Sequence, residues 1–404
     1  MTKIGSNSKN VLVGIKNLKF KYNKKSTKYD LEIPNLEIEE GKLISLLGPS
    51  GSGKTTLFNI LLGFLKPENG KISIKNNLKT NEIAYIMQEN SIYENVSVFN
   101  NIFLSAKNNR NWIDSSRIEF LDQFSDIKND QKISKYFDEY VSFSKEKEKN
   151  DWKIKFAYFK LWISILFSKK IRKKWTILKN LSLKKLFKKE LDTLAKKLEI
   201  DHLINKNVDE LSGGQKQRVA FAKGIVKRTN FVLMDEPFSA LDAKIKESTI
   251  DWLLKIKNEF NLSIIIVTHD QQDAMKISDK IILLSNGKVQ QFSTGQEMYE
   301  NPTNLFVAKF IGSPEINFIK EEDNKLFYIR QNKINVSLVK EGKYKIINKK
   351  HFGDKVQYQI EFEKNNIWSI VLNEDNLKIG DFVDIDYSKN DVLIFDKNGE
   401  RINE

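Results

Sequence analysis

Short apolar runs separated by longer mixed stretches recur along the first three quarters of the chain. Three lie within residues 11–47 (VLVGIKNLKF, LEIPNLEIEE and KLISLL), and four more follow at 83–87, 231–235, 263–269 and 280–285. Runs of this length, rich in β-branched residues, are typical of buried strands, and the stretches between them have helical character. The pattern predicts an α/β domain with a largely parallel sheet.

The pattern changes at about residue 314, where alternation replaces continuous apolar runs. In VQYQIEF one face collects the apolar side chains of Val356, Tyr358, Ile360 and Phe362. VDIDY at 383–387 alternates in the same way, which predicts half-buried antiparallel strands. We therefore expect an α/β domain over 10–312 and a small β-barrel-like domain over 313–404.

The amino-acid composition is that of a globular protein, and it excludes any chemistry that needs cysteine. The 404 residues are 40% hydrophobic and 30% charged, and the absence of cysteine excludes disulfides and a thiol nucleophile. The N-terminal MTKIGSNSKN lacks the apolar stretch of a secretory signal. No apolar run approaches the roughly 20 residues that span a bilayer. We expect a cytosolic chain.

The stretch GPSGSGKTT follows a predicted buried strand and opens a predicted helix. It fits the phosphate-binding loop pattern G-x-x-x-x-G-K-[ST] completely. Glycines let backbone N–H groups turn inward around phosphate oxygens, and a helix N-terminus favours an anion. Lys54 would supply charge for the β- and γ-phosphates, and the Thr55 hydroxyl would bind Mg²⁺. The candidate nucleotide-binding residues here are Gly48, Pro49, Ser50, Gly51, Ser52, Gly53, Lys54, Thr55 and Thr56.

Two carboxylates end the apolar run FVLMDEP at 231–237. A buried strand delivers both to its carboxyl end, where open α/β sheets bind ligands. Asp235 would hold Mg²⁺, and Glu236 would orient or deprotonate an attacking water. Strand-end acids are also common as structural caps, so the two carboxylates alone are a moderate signal. Together with the phosphate-binding loop they are a strong one.

A second candidate anion site lies in LSGGQKQRV at 211–219, where a serine and two glycines open a predicted helix. A single domain does not need two such sites for one nucleoside triphosphate. We therefore expect this motif to meet the γ-phosphate held by a second copy of the chain. Its candidate residues are Ser212, Gly213, Gly214 and Gln215.

Taken in order, the motifs resemble those of an ABC transporter ATPase subunit over about residues 10–310. The resemblance rests on Lys54 in GPSGSGKT, Gln88 in YIMQEN, LSGGQ at 211–215, Asp235-Glu236, SALD at 239–242 and His269 in VTHD. It implies a P-loop ABC ATPase fold and a head-to-tail homodimer with two ATP molecules at the interface. On that model Ser212 and Gly214 would reach the partner's γ-phosphate, and Asp242 would cross the dimer interface.

The same resemblance implies further roles around the nucleotide. Tyr22 would stack on adenine, although neighbouring Phe20 is an alternative and Tyr22 could be a simple strand-edge aromatic. Gln88 would touch Mg²⁺ and the attacking water and relay ATP binding to membrane subunits. His269 would contact the γ-phosphate; the alternative is a buried histidine with a structural role.

Sequences around the later motifs narrow the resemblance to importer ATPases that carry a C-terminal regulatory β-domain with an OB-like fold. They are SALDAKIKE, VTHDQQDAM and QEMYENPTNLFVAKFIGSPEINF. The stretch leading into EINF is most similar to the polyamine (spermidine/putrescine) import ATPases, so polyamines are favoured over sugars or glycerol phosphates. FYIRQNKI resembles a motif of the C-terminal domain, but Gln331 and Asn332 depart from its usual Pro-Glu. The resemblance implies two integral-membrane permease subunits, an extracellular substrate-binding protein and a position on the cytoplasmic face of the membrane.

Two other functions stay open at this point. A basic chain would suit a non-transport ABC protein that contacts nucleic-acid phosphates. Against this, the C-terminal region is importer-like and residues 107–190 show no sustained heptads. A purely regulatory subunit is the other, although Lys54, Asp235, Glu236 and His269 form a complete hydrolytic set. We expect no nucleic-acid partner.

The net charge of +14 is concentrated in one segment. Residues 107–190 contain 22 Lys and Arg against 11 Asp and Glu, and 152–189 contain 13 basic and no acidic residues. The segment falls in the helical subdomain that the resemblance implies. Its length and its excess of basic residues predict a basic insertion in that subdomain.

The sequence FAYFKLWISILFSKKIRKKW at 156–175 is aromatic and then basic. On a helix, a narrow polar stripe contains Lys153, Lys160, Ser164 and Ser168, and nearly everything else from 154 to 167 is apolar. One interpretation is an interfacial helix that contacts anionic lipid through 152–189. The other is a helical hairpin that packs its own apolar face and leaves its lysines in solvent.

Overall fold

The computed structural model describes residues 10–78, 82–87, 92–146, 150–353, 355–363 and 366–402. These residues form two compact units. The first comprises the residues up to Leu18, Pro34–Leu43 and Thr56–Val267; the second comprises Lys19–Ile33, Ile44–Thr55 and the residues from Thr268 onward. No helix in the described ranges is both long and apolar enough to cross a membrane. The expected division into 10–312 and 313–404 stays a prediction.

Strands and helices are numbered in chain order. The described strands are β1 (Val11–Phe20), β2 (Leu31–Glu39), β3 (Leu43–Leu47), β4 (Asn69–Ile74), β5 (Ala84–Ile86), β6 (Phe231–Asp235), β7 (Ser263–Val267), β8 (Lys280–Ser285), β9 (Lys288–Ser293), β10 (Asn317–Glu322), β11 (Lys325–Ile329), β12 (Asn335–Leu338), β13 (Tyr344–Phe352), β14 (Lys355–Glu363), β15 (Asn366–Leu372), β16 (Phe382–Asp386), β17 (Val392–Asp396) and β18 (Arg401–Ile402). The described helices are α1 (Lys54–Leu61), α2 (Val98–Lys107), α3 (Arg110–Leu121), α4 (Ser125–Asn129), α5 (Gln131–Lys145), α6 (Asp151–Phe167), α7 (Lys174–Asn180), α8 (Leu183–Lys197), α9 (Gly213–Ile225), α10 (Ala243–Glu259), α11 (Gln271–Ile277), α12 (Gly295–Glu300) and α13 (Leu305–Phe310).

Parallel strands form the centre of the first unit. β5 pairs with β6, and β6 pairs with β7, all in parallel. Every residue of β7 is buried, and in β6 only the last residue, Asp235, is partly exposed. Burial on both faces explains why these strands are continuous apolar runs. The predicted α/β architecture with parallel strands is confirmed. A separate three-stranded sheet has the strand order β2-β1-β4.

The basic insertion in the first unit is helical and has a hydrophobic core of its own. Its buried residues come mainly from α5, α6 and the segments that flank them, and they include Phe137, Tyr140, Leu161 and Ile165. Asp114 of α3 lies at the edge of this core, where it accepts hydrogen bonds from the Tyr140 hydroxyl at 2.7 Å and from Arg110 Nε at 2.8 Å. Burial, followed by the Asp114 charge, raises the pKa of Tyr140.

Two groups of strands make up most of the second unit. β3 pairs in parallel with β8, which pairs in antiparallel with β9. The C-terminal region is antiparallel throughout its described pairings and forms two sheets, β10-β11-β17-β18 and β12-β16-β13-β14-β15. On β14, Val356, Tyr358 and Ile360 are buried and the residues between them are not, so the predicted alternation is confirmed.

Arg330 fixes the C-terminal sheets to the helices that precede them in the second unit. Its guanidinium is buried and donates hydrogen bonds to the Tyr299 carbonyl at 2.8 Å, the Ala308 carbonyl at 2.8 Å and the Ile311 carbonyl. The group also lies 4.1 Å from the centre of the Tyr299 ring. Burial lowers the pKa of Arg330 to about 10. These bonds satisfy carbonyls at the ends of α12 and α13.

We expect Arg330→Met to lower the free energy of unfolding by about 3 kcal/mol, because three buried carbonyl oxygens would lose their donor. The matched control is Arg401→Met, since Arg401 is half-buried and donates to the Ile394 carbonyl at 3.1 Å. The control should lose about 1 kcal/mol. Denaturant unfolding monitored by circular dichroism measures both, and equal losses would contradict the anchoring role of Arg330.

Candidate functional site

The phosphate-binding loop runs from the end of β3 to the first residue of α1. Gly48 has φ +151°, and a Cβ added there would lie 2.1 Å from the carbonyl oxygen of Leu284 on β8. Gly51 has φ +75°, and a Cβ there would meet no atom within 4 Å. The first glycine is thus required by a close approach to the neighbouring strand, and the second by its left-handed backbone beside open space. A loop of this kind presents backbone N–H groups to an anion.

Two polar side chains complete the loop. Lys54 Nζ donates to the carbonyl oxygens of Gly48 at 2.7 Å and Pro49 at 2.9 Å, which holds the ammonium group inside the turn. The Ser52 hydroxyl is buried and has no hydrogen-bond partner among the described residues. A buried hydroxyl without a partner is costly, and a phosphate oxygen would supply one. The loop therefore fits the triphosphate of ATP.

Gly287 supports the loop and is absent from the sequence-based candidates. Its N–H donates to the Ser52 carbonyl at 3.1 Å, and a Cβ there would lie 2.4 Å from the carbonyl oxygen of Asp30. Asn286 and Gly287 have φ values of 49° and 71° and form the turn between β8 and β9. Asn-Gly between two apolar runs is a strong hairpin signal, so the sequence contained the information needed to find this residue.

Tyr22 and His269 also lie in the second unit. The Tyr22 side chain is 61% exposed, its ring meets Phe20 edge-on at 4.9 Å, and its backbone N–H donates to the Asp30 carboxylate at 2.7 Å. Phe20 is buried, which leaves Tyr22 as the better candidate to stack on adenine. His269 follows β7 and is exposed, so the alternative of a buried histidine is wrong.

The two candidate acids lie at the carboxyl end of β6, in the first unit. Glu236 has φ +43°, an unfavourable backbone conformation for a residue with a side chain, and its N–H donates to the Val267 carbonyl at 2.9 Å. Strain of this kind is concentrated at functional sites. Burial and, second, the charge of Asp235 raise the pKa of Tyr85 on β5. Asp235 therefore lies close to Tyr85 at the edge formed by β5 and β6.

The LSGGQ motif opens α9, as expected. The Ser212 hydroxyl accepts from the N–H of Gln215, and the Gln215 side chain accepts from the N–H of Ser212 at 3.1 Å. This capping box fixes the conformation of the exposed N-terminal end of α9. A Cβ on Gly213 would lie 2.9 Å from Leu241, and one on Gly214 would lie 3.0 Å from Ile245. The glycines therefore let α9 pack closely against the start of α10.

A hydrogen bond joins this motif to the acids within the first unit. Gln217 Nε2 donates at 2.6 Å to the carbonyl of Pro237, the residue after Glu236. Asp242 caps α10 by accepting from the N–H of Ile245 at 3.1 Å, and its side chain is exposed. Gln217 is absent from the sequence-based candidates, because its position in α9 is the only signal that it gives. Gln88 lies outside the described residues.

The predicted residues thus fall into two groups. The second unit contains Tyr22, His269 and the phosphate-binding loop up to Thr55, and the first unit contains Thr56, the acids, the LSGGQ motif and Asp242. Each group has the chemistry that its motif predicts: an anion-binding loop in one, and carboxylates with a capped helix N-terminus in the other. Their roles in ATP chemistry stay predictions.

Comparison with known proteins identifies the family. The model for the ABC transporter family matches residues 31–239. The chain is 32% identical over 336 residues to the spermidine/putrescine import ATP-binding protein PotA of Mycoplasmopsis synoviae, an alignment that covers 73% of this chain and 70% of that protein. PotA of Clostridium acetobutylicum is 27% identical over 418 residues, with 98% of this chain and 99% of the relative covered. The sulfate/thiosulfate import ATP-binding protein CysA of Synechocystis is 29% identical over 291 residues, with 70% of this chain and 61% of the relative covered.

The chain belongs to the ABC transporter family, and its fold is that of an ATP-binding subunit. It is an ATP-hydrolysing subunit of an ABC importer. Subunits of this kind dimerise and work with membrane permease partners.

Proposed function

We propose that two copies of this chain close head to tail on two Mg·ATP and so drive import through two separate permease subunits. The observation that carries the proposal is the phosphate-binding loop, with Lys54 turned into it and a buried Ser52 hydroxyl that has no hydrogen-bond partner in the described part of the chain. Mg²⁺, when bound, would neutralise charge on the β- and γ-phosphates. The residues that would hold it are Thr55, Asp235 and Gln88.

The remaining chemistry falls to named side chains. Glu236 would accept a proton from the attacking water, oriented by Gln88, and His269 would contact the γ-phosphate. Lys54 and the partner subunit's Ser212 would bracket the same phosphate. Tyr22 would hold the adenine by stacking. In this scheme no step needs a protein group from outside the two copies.

We favour polyamines as the cargo, delivered by an extracellular substrate-binding protein. Two of the relatives are spermidine/putrescine import proteins, and one of them matches almost the whole chain, including the C-terminal β-rich region. The sulfate/thiosulfate relative supports an inorganic anion as the second candidate cargo. Its sequence identity to this chain, 29%, is close to that of the two polyamine relatives, but its alignment of 291 residues is shorter. Sugars and glycerol phosphates remain alternatives within the same branch. All three relatives are import subunits, which favours import over the nucleic-acid alternative.

The experiment is ATP hydrolysis by this chain reconstituted in liposomes with its permease and binding protein. Spermidine, putrescine, sulfate, maltose and glycerol 3-phosphate are added one at a time. Stimulation by a polyamine alone supports the proposal, whereas stimulation by another cargo overturns the polyamine assignment and leaves the importer role standing. Placement on the cytoplasmic face of the membrane follows from permease binding and is tested by co-purification with membranes.

The C-terminal residues 313–404 are proposed as a regulatory domain with an OB-like fold. Its support is the pair of antiparallel sheets around a core that contains Trp368, whose indole N–H donates to the Phe318 carbonyl at 2.7 Å. Because this region lies outside all the ATP motifs, its removal should change the response to effectors and leave nucleotide binding in place.

A further inference from the structure

Helix α6 has two opposite apolar faces. One face packs into the core of the insertion through Ile154, Ala157, Leu161 and Ile165, all of them almost completely buried. The other face contains Trp152, Phe156, Phe159 and Phe167. At about 100° per residue, these four positions lie within an arc of about 80° whose centre is opposite the buried face. The predicted polar stripe, which includes Lys153, Lys160 and Ser164, lies between these two apolar faces.

The second face is exposed. The side chains of Trp152, Phe156, Phe159 and Phe167 are between 55% and 82% exposed, and Trp175 on α7 is 70% exposed. Phe156, Phe159 and Phe167 also line a cavity of about 660 Å³ together with Ile133 and Tyr136 of α5. Contiguous exposed aromatic surface of this kind marks a binding surface.

Positive charge adjoins the aromatic side chains. Lys169, Lys170, Arg172 and Lys173 follow α6 directly and are exposed. Lys160 lies over the Phe156 ring at 4.7 Å and pairs with Glu139 of α5 at 3.3 Å. Asp130, the N-cap of α5, also lines the cavity. Residues 152–189 contain 13 basic residues and no acidic one, so this stretch of the chain has a large positive net charge.

We propose that this aromatic-basic face, formed by Trp152, Phe156, Phe159, Phe167, Trp175 and the basic run 169–173, binds an anionic lipid bilayer directly. Aromatic rings suit the boundary between hydrocarbon and headgroups, and basic side chains beside them attract anionic headgroups. A single-stranded nucleic acid is the alternative occupant, since its bases would stack on the same rings, and the test below distinguishes the two. The contact goes beyond the proposed function and does not depend on cargo or permease.

The test is flotation of the full-length chain with vesicles that contain no permease. Binding to phosphatidylglycerol/phosphatidylcholine vesicles should exceed binding to phosphatidylcholine alone by about tenfold or more, and it should fall in high salt. The combined F156S, F159S and F167S variant should lose about tenfold or more, and so should K169Q, K170Q, R172Q and K173Q. A matched control, I367S with I379S, changes two exposed apolar residues in the second unit and should bind as the wild type does.

A second measurement separates lost binding from misfolding. Brominated lipids should quench tryptophan fluorescence of the wild type, and W152F with W175F should bind vesicles while losing most of that quenching. Absence of binding to anionic vesicles overturns the proposal. Binding to vesicles that appears only when the permease is present also overturns it. A third contradicting result is that the chain binds polyuridylic acid and not vesicles, and that the same variants abolish this binding.

Discussion

Glu236→Gln is expected to lower ATP hydrolysis by about 10² to 10⁴-fold while ATP binding is retained, because the amide keeps the size of the side chain but cannot accept the proton of the attacking water. The backbone at this position should not change, since the N–H of Glu236 still donates to the Val267 carbonyl. Phosphate release and equilibrium binding of a fluorescent ATP analogue measure the two quantities separately.

The matched control for this variant is Glu259→Gln at the end of α10, where the carboxylate pairs with Lys197 at 3.1 Å on the surface. Hydrolysis by the control should stay close to that of the wild type. If Glu236→Gln hydrolyses ATP as fast as its control does, another group accepts the proton and the assignment of the base is wrong.

Lys54→Met is expected to weaken ATP binding by about 10 to 150-fold, because it removes a charged hydrogen-bond donor that is already held inside the phosphate-binding loop. Methionine keeps most of the volume of this buried side chain, so loss of packing contributes little. Isothermal titration calorimetry with ATP and with ADP measures the change, and the loss should be larger for ATP, since the ammonium would reach the γ-phosphate.

Lys66→Met provides the control, because Lys66 is an exposed lysine just beyond α1. Its ATP affinity should match that of the wild type. Undiminished ATP affinity in Lys54→Met would contradict the role of the loop, provided that its circular dichroism and melting temperature are those of a folded chain.

The parts of the fold that sequence predicts well are those in which local pattern and tertiary environment agree. β6 and β7 are buried on both faces, so their continuous apolar runs match the environment directly. The phosphate-binding loop is also well predicted, because its whole pattern lies within eight consecutive residues, although Gly48 is required in addition by its close approach to Leu284, which is far away in sequence. The cap formed by Ser212 and Gln215 is also local, and it lies where the motif predicts a helix to begin.

Features that depend on residues far apart in sequence could not be predicted. The sequence of an apolar helix such as α6 does not reveal which face will be covered; that is decided by the core residues of α5, α7 and the other segments packed on one side of it. Arg330 illustrates the same limit, because the carbonyls that satisfy its guanidinium lie 19 to 31 residues earlier in the chain. Gln217 is a similar case, because its side chain donates a hydrogen bond to the Pro237 carbonyl, 20 residues later in the chain.

In the proposed dimer each ATP is shared between two copies of the chain, with the phosphate-binding loop from one and the LSGGQ motif from the other. The most direct measurement is phosphate release by a mixture of Lys54→Met and Ser212→Glu chains, compared with each variant alone. In a mixed dimer one nucleotide site contains both defects, and the other contains neither. If the sites are shared in this way, the mixture hydrolyses ATP while each variant alone is nearly inactive. A mixture no more active than its separate components would contradict this sharing.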